Sequence, residues 1–276
     1  AEAGKTTDPF TSSLQTLIVQ EEPMLDRISW FQIPSGSNAY KWYDESQLPT
    51  ASFRAINGTW DADHGIVVPR QENLSILGGE VEIDKAIIDL MGGAISPGEK
   101  MRQYEMKIRA AKEKWLETFF EGDSGVDVNG FDGLRPRVQG TTMDFDMSAN
   151  TDVGELSLEK LDEVLDAVRG SNSDKVIALN QWLARKVNFL IRAAGQARED
   201  VGISFGRQLP AYANAPMVVV QRENDMTSVL DFDEDPGDGG DDAASIYVIK
   251  FGNEEDVFGI LGSGGAWQVK DFGEQE

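Results

Sequence analysis

The residues SPGEKMRQYEMKIRAAKEKWLETFFEGDSGVDVNGFDGL, Ser96 to Leu134, decide how the rest of the chain is read. Ser96 can cap a helix, Pro97 suits the first helical position, and Glu99 can reach back to the cap. Met101, Tyr104, Ile108, Ala111, Trp115 and Phe119 then recur at steps of three and four, which predicts one apolar face. Gly122 closes the run, where a residue without a Cβ can turn left-handed. A helix over 97–121 is about 37 Å long at 1.5 Å per residue. Such a rod is a spine for other elements to pack on. Behind it, Gly122, Asp123 and Ser124 open a loop that ends at Phe131, Asp132, Gly133 and Leu134.

Upstream, Asp8 and Pro9 start a short helix with Phe10, Leu14, Leu17 and Ile18 on one side, stopped by Pro23. From Ile33 to Ile88 the pattern changes to extended sequence. Tyr40, Trp42 and Leu48 through Phe53 form an outgoing run, and Gly65 to Val68 begin a returning one. Asn57, Gly58, Asp61 and Asp63 between them are turn residues. A two-stranded excursion of this kind is marginal in water and needs a surface to lie on.

Downstream, Leu158, Leu161, Leu165 and Val168 predict a helix ended by Gly170. Lys175 to Leu179 reads as a buried strand, and Asn180 caps a second helix carrying Leu183, Val187, Leu190 and Ile191, ended by Gly195. Met217 to Val220 is another buried strand. Helix, strand, helix, strand at this spacing describes a compact α/β lobe. Ser228 to Ala243 is an acidic, glycine-rich loop. Strands at Ile246 to Phe251, Val257 to Leu261 and Ala266 to Val269 follow.

The 276 residues suit one large domain or two lobes, and 40% apolar content is ample for a core. No apolar run approaches the roughly 18 residues of a membrane span. Ala1 to Asp8 lacks a basic segment followed by an apolar one, so no signal peptide is expected. The absence of cysteine removes disulfides, thiolate metal sites and thiol nucleophiles. A net charge of −23 argues against gripping nucleic acid through a general basic surface. From Thr227 to Glu276 thirteen acids face only Lys250 and Lys270, a local balance of −11.

The candidates for chemistry are weak. His64, the single histidine, lies in a turn without triad or metal partners. Asp231, Asp233, Asp235 and Asp242 approach calcium-loop spacing, but Pro236 stands where that loop needs glycine, and a solvated acidic loop is the better reading. Gly259, Gly262, Gly264 and Gly265 lack the Lys-Ser or Lys-Thr of a phosphate loop. Asp144 and Asp146 have nothing to tune them for acid–base work. Asn57 and Asn73 match the glycosylation pattern, an accidental match without a secretion signal. No catalytic residue, cofactor or metal is expected, and the chain is read as a non-enzyme.

In their order these parts resemble the tailed-bacteriophage major capsid proteins of the Hong Kong 97 type, a fold shared with encapsulins. The matching residues are Phe120, Gly122, Asp123 and Ser124, then Phe131, Asp132, Gly133 and Leu134, directly after the long helix. Leu77, Gly78 and Gly79 ahead of Val81 and Ile83 look like that family's run into its helix. Ser245 to Phe251, Gly259 and the strand at Trp267 look like its closing β segment. The resemblance covers roughly Thr11 to Glu276.

It implies an α+β, Hong Kong 97-like capsid fold. Residues 1–30 would be an N-terminal arm and 31–76 an extended E-loop hairpin with its base. Residues 77–154 would form a peripheral domain holding the spine helix 97–121, 155–243 an α/β axial domain, and 244–276 strands returning to the peripheral domain. Trp42, Leu48, Phe53, Arg54 and Trp60 would meet neighbouring subunits. Met101, Tyr104, Ile108, Trp115 and Phe119 would pack the spine.

The implied product is a virion: a homo-oligomer of pentamers and hexamers closing an icosahedral shell around double-stranded DNA, without sequence-specific binding. Portal, scaffold or decoration proteins are the implied partners, with no membrane involved and assembly in the host bacterial cytoplasm. Some relatives crosslink through an E-loop lysine. Lys41 is the sole lysine of this loop, no asparagine partner is identifiable, and no crosslink is claimed. Two other readings stay open: an encapsulin-like compartment, and a small-molecule enzyme built on the α/β lobe.

Overall fold

The computed structural model describes residues 23–82, 97–145, 156–195, 199–202, 208–222, 226–231, 243–252 and 256–263. The helix predicted after Asp8, the cap Ser96 and the strand at Ala266 to Val269 lie outside them.

In chain order the first elements are α1 (Pro23–Arg27), β1 (Trp30–Gln32), β2 (Ala39–Gln47), β3 (Ile66–Asn73), the long α2 (Pro97–Glu121) and α3 (Leu134–Val138). Then come α4 (Leu158–Ala167), β4 (Lys175–Leu179), α5 (Gln181–Ala193), β5 (Glu199–Gly202), β6 (Gln208–Tyr212), β7 (Ala215–Val219), β8 (Tyr247–Lys250) and β9 (Gly259–Leu261).

The central sheet has the order β5-β6-β7-β4-β8. β4 runs parallel to β7 and antiparallel to β8. A crossover through α5 makes the parallel pairing possible. Lys175–Leu179 is buried at every position, as a strand covered on both faces must be. Its side chains alternate accordingly. Val176 and Ala178 join Met24, Leu116, Phe119, Phe120, Val218 and Ile249 on one face. Ile177 and Leu179 join Leu161, Leu165, Leu183, Val187 and Met217 on the other. The end of α2 covers the first face, and α4 with α5 cover the second. The result is a layered mixed α/β body.

Local chemistry explains the joints. Asn180 caps α5 by accepting from the Leu183 N–H at 2.8 Å, and its amide donates to the Leu230 carbonyl at 3.0 Å. Ser157 caps α4 through the Lys160 N–H. Gly170 and Gly195 take positive φ just beyond the two helices. β6 and β7 are joined by Ala213 and Asn214, with φ of 48° and 68°. Two positive φ values in a two-residue loop are the hairpin geometry that matches strand twist. β1 pairs in parallel with β9, Trp30 opposite Gly259. A Cβ on Gly259 would strike the Trp30 ring, so this glycine serves a close approach of side chain to backbone.

α2 has the bounds its sequence predicts, but its buried line lies further round. Leu116, Phe119 and Phe120 are the buried apolar residues, while Tyr104, Ile108 and Trp115 are partly covered. The helix end lies on the sheet, and the Trp115 side meets α1 and Trp30 instead. Gly122 does not end α2 in a left-handed turn, since its φ is not positive. It is needed because a Cβ there would lie 2.5 Å from the carbonyl oxygens of Phe131 and Thr118.

Candidate assembly surface

β2 and β3 form an antiparallel ribbon in register from Ala39–Asn73 to Gln47–Ile66, with an irregularity between Glu45 and Gln47. Nine residues of strand extend about 30 Å. Every residue from Tyr43 to Val67 is exposed. The excursion therefore projects from the body, with both limbs open to solvent along most of its length.

Its tip is nevertheless held in one shape. Asp63 bridges the two limbs: one carboxylate oxygen accepts from the Thr50 N–H at 3.0 Å and hydroxyl at 2.8 Å, the other from the His64 N–H at 2.8 Å. These bonds hold its carboxyl below the usual range, the Thr50 backbone bond most of all. Arg54 lies 4.2 Å over the Trp60 ring and donates to the Gly58 carbonyl at 3.0 Å. The Trp60 indole donates to the Ser52 carbonyl at 3.1 Å. Asn57 takes φ of 67° at the turn. With the loop so fixed, Leu48, Phe53, Ile56 and Trp60 stand in solvent.

At its base the ribbon is anchored. Trp42 is half-buried and stacks on Tyr40, whose ring meets Phe258 edge-on at 5.7 Å. Glu72 of β3 pairs with Arg137 of α3 at 2.6 Å, and Ser75 donates to the Gly130 carbonyl at 2.9 Å. These contacts tie the ribbon to the turn after α2. There the Asp132 carboxylate accepts from the Ser124 N–H at 2.8 Å, and Arg137 donates to the Asp132 carbonyl at 2.9 Å. Gly133 is buried and donates to the Gly122 carbonyl at 2.7 Å. A Cβ on Gly133 would sit 2.6 Å from the Thr118 carbonyl oxygen. Asp123 closes its own turn by accepting from Gly125 at 2.7 Å. Phe131 and Leu134 are partly buried beside it.

The sequence-predicted residues thus fall into three places. Leu48, Phe53, Arg54 and Trp60 gather at the tip, and Trp42 lies at the base. Trp115 and Phe119 stack at 5.1 Å near the end of α2, with Tyr104 and Ile108 further up the helix. Met101 is in the helix, its side chain outside the described residues. Gly122, Asp123, Phe131, Asp132, Gly133 and Leu134 form one tight turn.

Ile56 and the Glu72–Arg137 pair carry no local signal in the sequence, and Asp63 reads there only as a turn residue, because its bond to Thr50 depends on strand register. Of the weak chemical candidates, Asp144 accepts from the Gly140 N–H, while Asp146, Asp233, Asp235 and Asp242 lie outside the described residues. Among the described residues no cluster of three or more His, Asp or Glu could hold a metal, and no helix is long and apolar enough to cross a membrane.

No protein-family model matches the chain, and no curated protein matches it. Solved structures do. The chain is similar to the holo-SrpI encapsulin complex from Synechococcus elongatus PCC 7942, with a TM-score of 0.55 and 17% identity over 100% of this chain and 78% of that one. The capsid of a native GTA particle follows, with a TM-score of 0.45 and 12% identity over 83% of this chain and 75% of that one. The procapsid of satellite phage P4, including its size determination protein, gives 0.38 and 12% over 80% and 75%. The encapsulin likeness, which spans the whole chain, shows the fold. It is the Hong Kong 97-like capsid fold that the order of motifs around α2 implied.

Proposed function

We propose that the chain is a structural shell protein without catalytic activity, the major capsid protein of a tailed bacteriophage. Its copies form pentamers and hexamers of an icosahedral shell around double-stranded DNA. The observation that carries the reading is the ribbon: a fixed tip bearing Leu48, Phe53, Ile56 and Trp60, on an excursion whose residues from Tyr43 to Val67 are all exposed. Exposed apolar groups concentrated on one protrusion mark an interaction site. A head-to-tail contact through it closes into rings, and many such contacts summed over a shell give stability by multivalency.

In this reading Trp42 fixes the ribbon base, while Leu48, Phe53, Arg54 and Trp60 meet the neighbouring subunit. Residues 77–154 with α2 are then the peripheral domain, and residues 155–243 with β4 to β7 are the axial domain. Of the closing strands in 244–276, β8 lies against β4 in the central sheet. A net charge of −23 keeps the inner wall from condensing the genome. Portal and scaffold or decoration proteins would complete the virion.

Full-length protein at assembly concentration should give closed, hollow particles in electron micrographs, and monomers at every pH, salt and concentration would overturn the reading. The second reading is an encapsulin-like compartment with protein cargo, favoured by the likeness to an encapsulin over the entire chain. Nuclease-protected double-stranded DNA in particles from the native source supports the capsid. A co-purifying protein cargo without DNA supports the compartment.

A further inference from the structure

α4 and α5 lie side by side on one face of the central sheet, seated in one core through Leu161, Leu165, Leu183 and Val187. Their outward faces carry opposite charge. α4 holds Glu159, Asp162, Glu163 and Asp166 against Lys160 alone, a balance of −3. At about 100° per residue these four acids fall within one arc of about 100°, turned from Leu161 and Leu165, and all four are exposed. α5 holds Arg185, Lys186 and Arg192 and no acid, a balance of +3 in a chain of −23. Trp182, Arg185, Phe189 and Arg192 share its outer arc of about 80°, with Trp182 and Phe189 51% and 59% exposed.

Some of these groups are used locally. Lys160 pairs with Glu163 at 3.6 Å, Asp162 accepts from the Tyr212 hydroxyl at 2.8 Å, and Arg192 donates to the Asn188 carbonyl at 3.1 Å. Glu159, Asp166 and Arg185 have no ion-pair partner among the described residues.

We propose that α5 of one copy docks against α4 of the next copy in a ring. The inference rests on the shell reading and adds the contact that sets ring order. The two helices are neighbours in one layer, so each has a flank turned from the other. One rotation between copies then brings the basic face of α5, with Arg185 and Arg192, against the acidic face of α4, with Glu159, Asp162, Glu163 and Asp166. Opposite potentials fix register, and pairing of like flanks is repelled. Trp182 and Phe189 supply the apolar, aromatic centre that interfaces favour. Nucleic acid is the weaker occupant for α5, because a chain this acidic repels polyanions as a whole.

Two full-length variants test it: Arg185→Glu with Arg192→Glu, and Glu159→Lys with Asp166→Lys. All four residues are exposed, so circular dichroism melts should match the parent chain. Each variant alone should lower the assembled fraction in sedimentation velocity about tenfold or more, since every ring contact becomes like-charged. Mixed one to one, the two variants can alternate around a ring of six with every contact attractive. A ring of five forces one repulsive contact. The mixture should therefore recover hexamers without closed shells, and the four changes in one chain should recover both. Single variants that assemble like the parent overturn the interface, as does a mixture that recovers nothing. A parent chain that never assembles overturns the shell reading itself.

Discussion

Asp132 sits at the turn that follows α2, where its carboxylate accepts from Ser124 and its carbonyl from Arg137. Hydrogen bonds from the Ser124 hydroxyl and N–H hold its carboxyl below the usual carboxylate range, with Arg137 adding a smaller favourable charge and partial burial opposing. A carboxyl depressed in the folded chain contributes stability above its unfolded pKa and loses it as pH falls through its folded value. Asp132→Asn should therefore lower the urea midpoint at pH 7, and the gap from the parent should close below about pH 4. A gap that stays constant down to pH 3 would show that the charge at this position is irrelevant. Gly133 beside it has φ of −77°, an ordinary value. It is glycine because the Thr118 carbonyl leaves no room for a Cβ. That kind of requirement is invisible in sequence, where a glycine is read first as a turn.

α2 is two helices in energetic terms, although its hydrogen bonding is continuous over Pro97–Glu121. Its C-terminal end buries Leu116, Phe119 and Phe120 against the sheet, whereas Met106 in the middle is exposed. Phe120→Ala should cost about 3–5 kcal/mol in urea denaturation, and Met106→Ala should stay within about 0.5 kcal/mol. Equal effects would mean that the rod is supported evenly.

The same helix shows what could be read in advance. The span was legible because Pro97 and Gly122 punctuate it. The buried line was not, because apolar residues cover an arc wide enough to hold both Trp115 and Phe120, and only the sheet's position selects between them. β4, and α5 with its cap Asn180, were legible for the opposite reason: Val176 to Leu179 is the unbroken apolar run of a strand covered on both faces, and a cap residue marks the helix behind it. β5, β6 and the turn that joins β6 to β7 were missed, while β7 itself was read as the buried strand at Met217. Glu199–Gly202 is a short polar edge, and Ala213-Asn214 is not a pair that announces a turn. The pairing of β1 with β9 joins opposite ends of the chain, and no local signal carries that.

At the scale of the molecule, the ribbon and the body are separable. The body holds its two cores around the central sheet, and the ribbon contributes none of their buried residues. The tip's order comes from its own bonds: Asp63 to Thr50 and His64, Arg54 over Trp60. Its shape is therefore present before any partner arrives, which lowers the ordering cost of association. Replacing residues 48–65 by Asn-Gly closes the ribbon at the Gln47–Ile66 pair with a two-residue turn that favours hairpins. The shortened chain should melt within about 2 °C of the parent, since no buried contact is lost, and it should remain soluble as Leu48, Phe53, Ile56 and Trp60 leave with the loop. It should also fail to build shells in electron micrographs at concentrations where the parent does. Normal shells from this chain would mean that the tip is ornament, leaving the helix flanks of the central layer to carry assembly. A chain that unfolds would mean that the excursion belongs to the body's own stability.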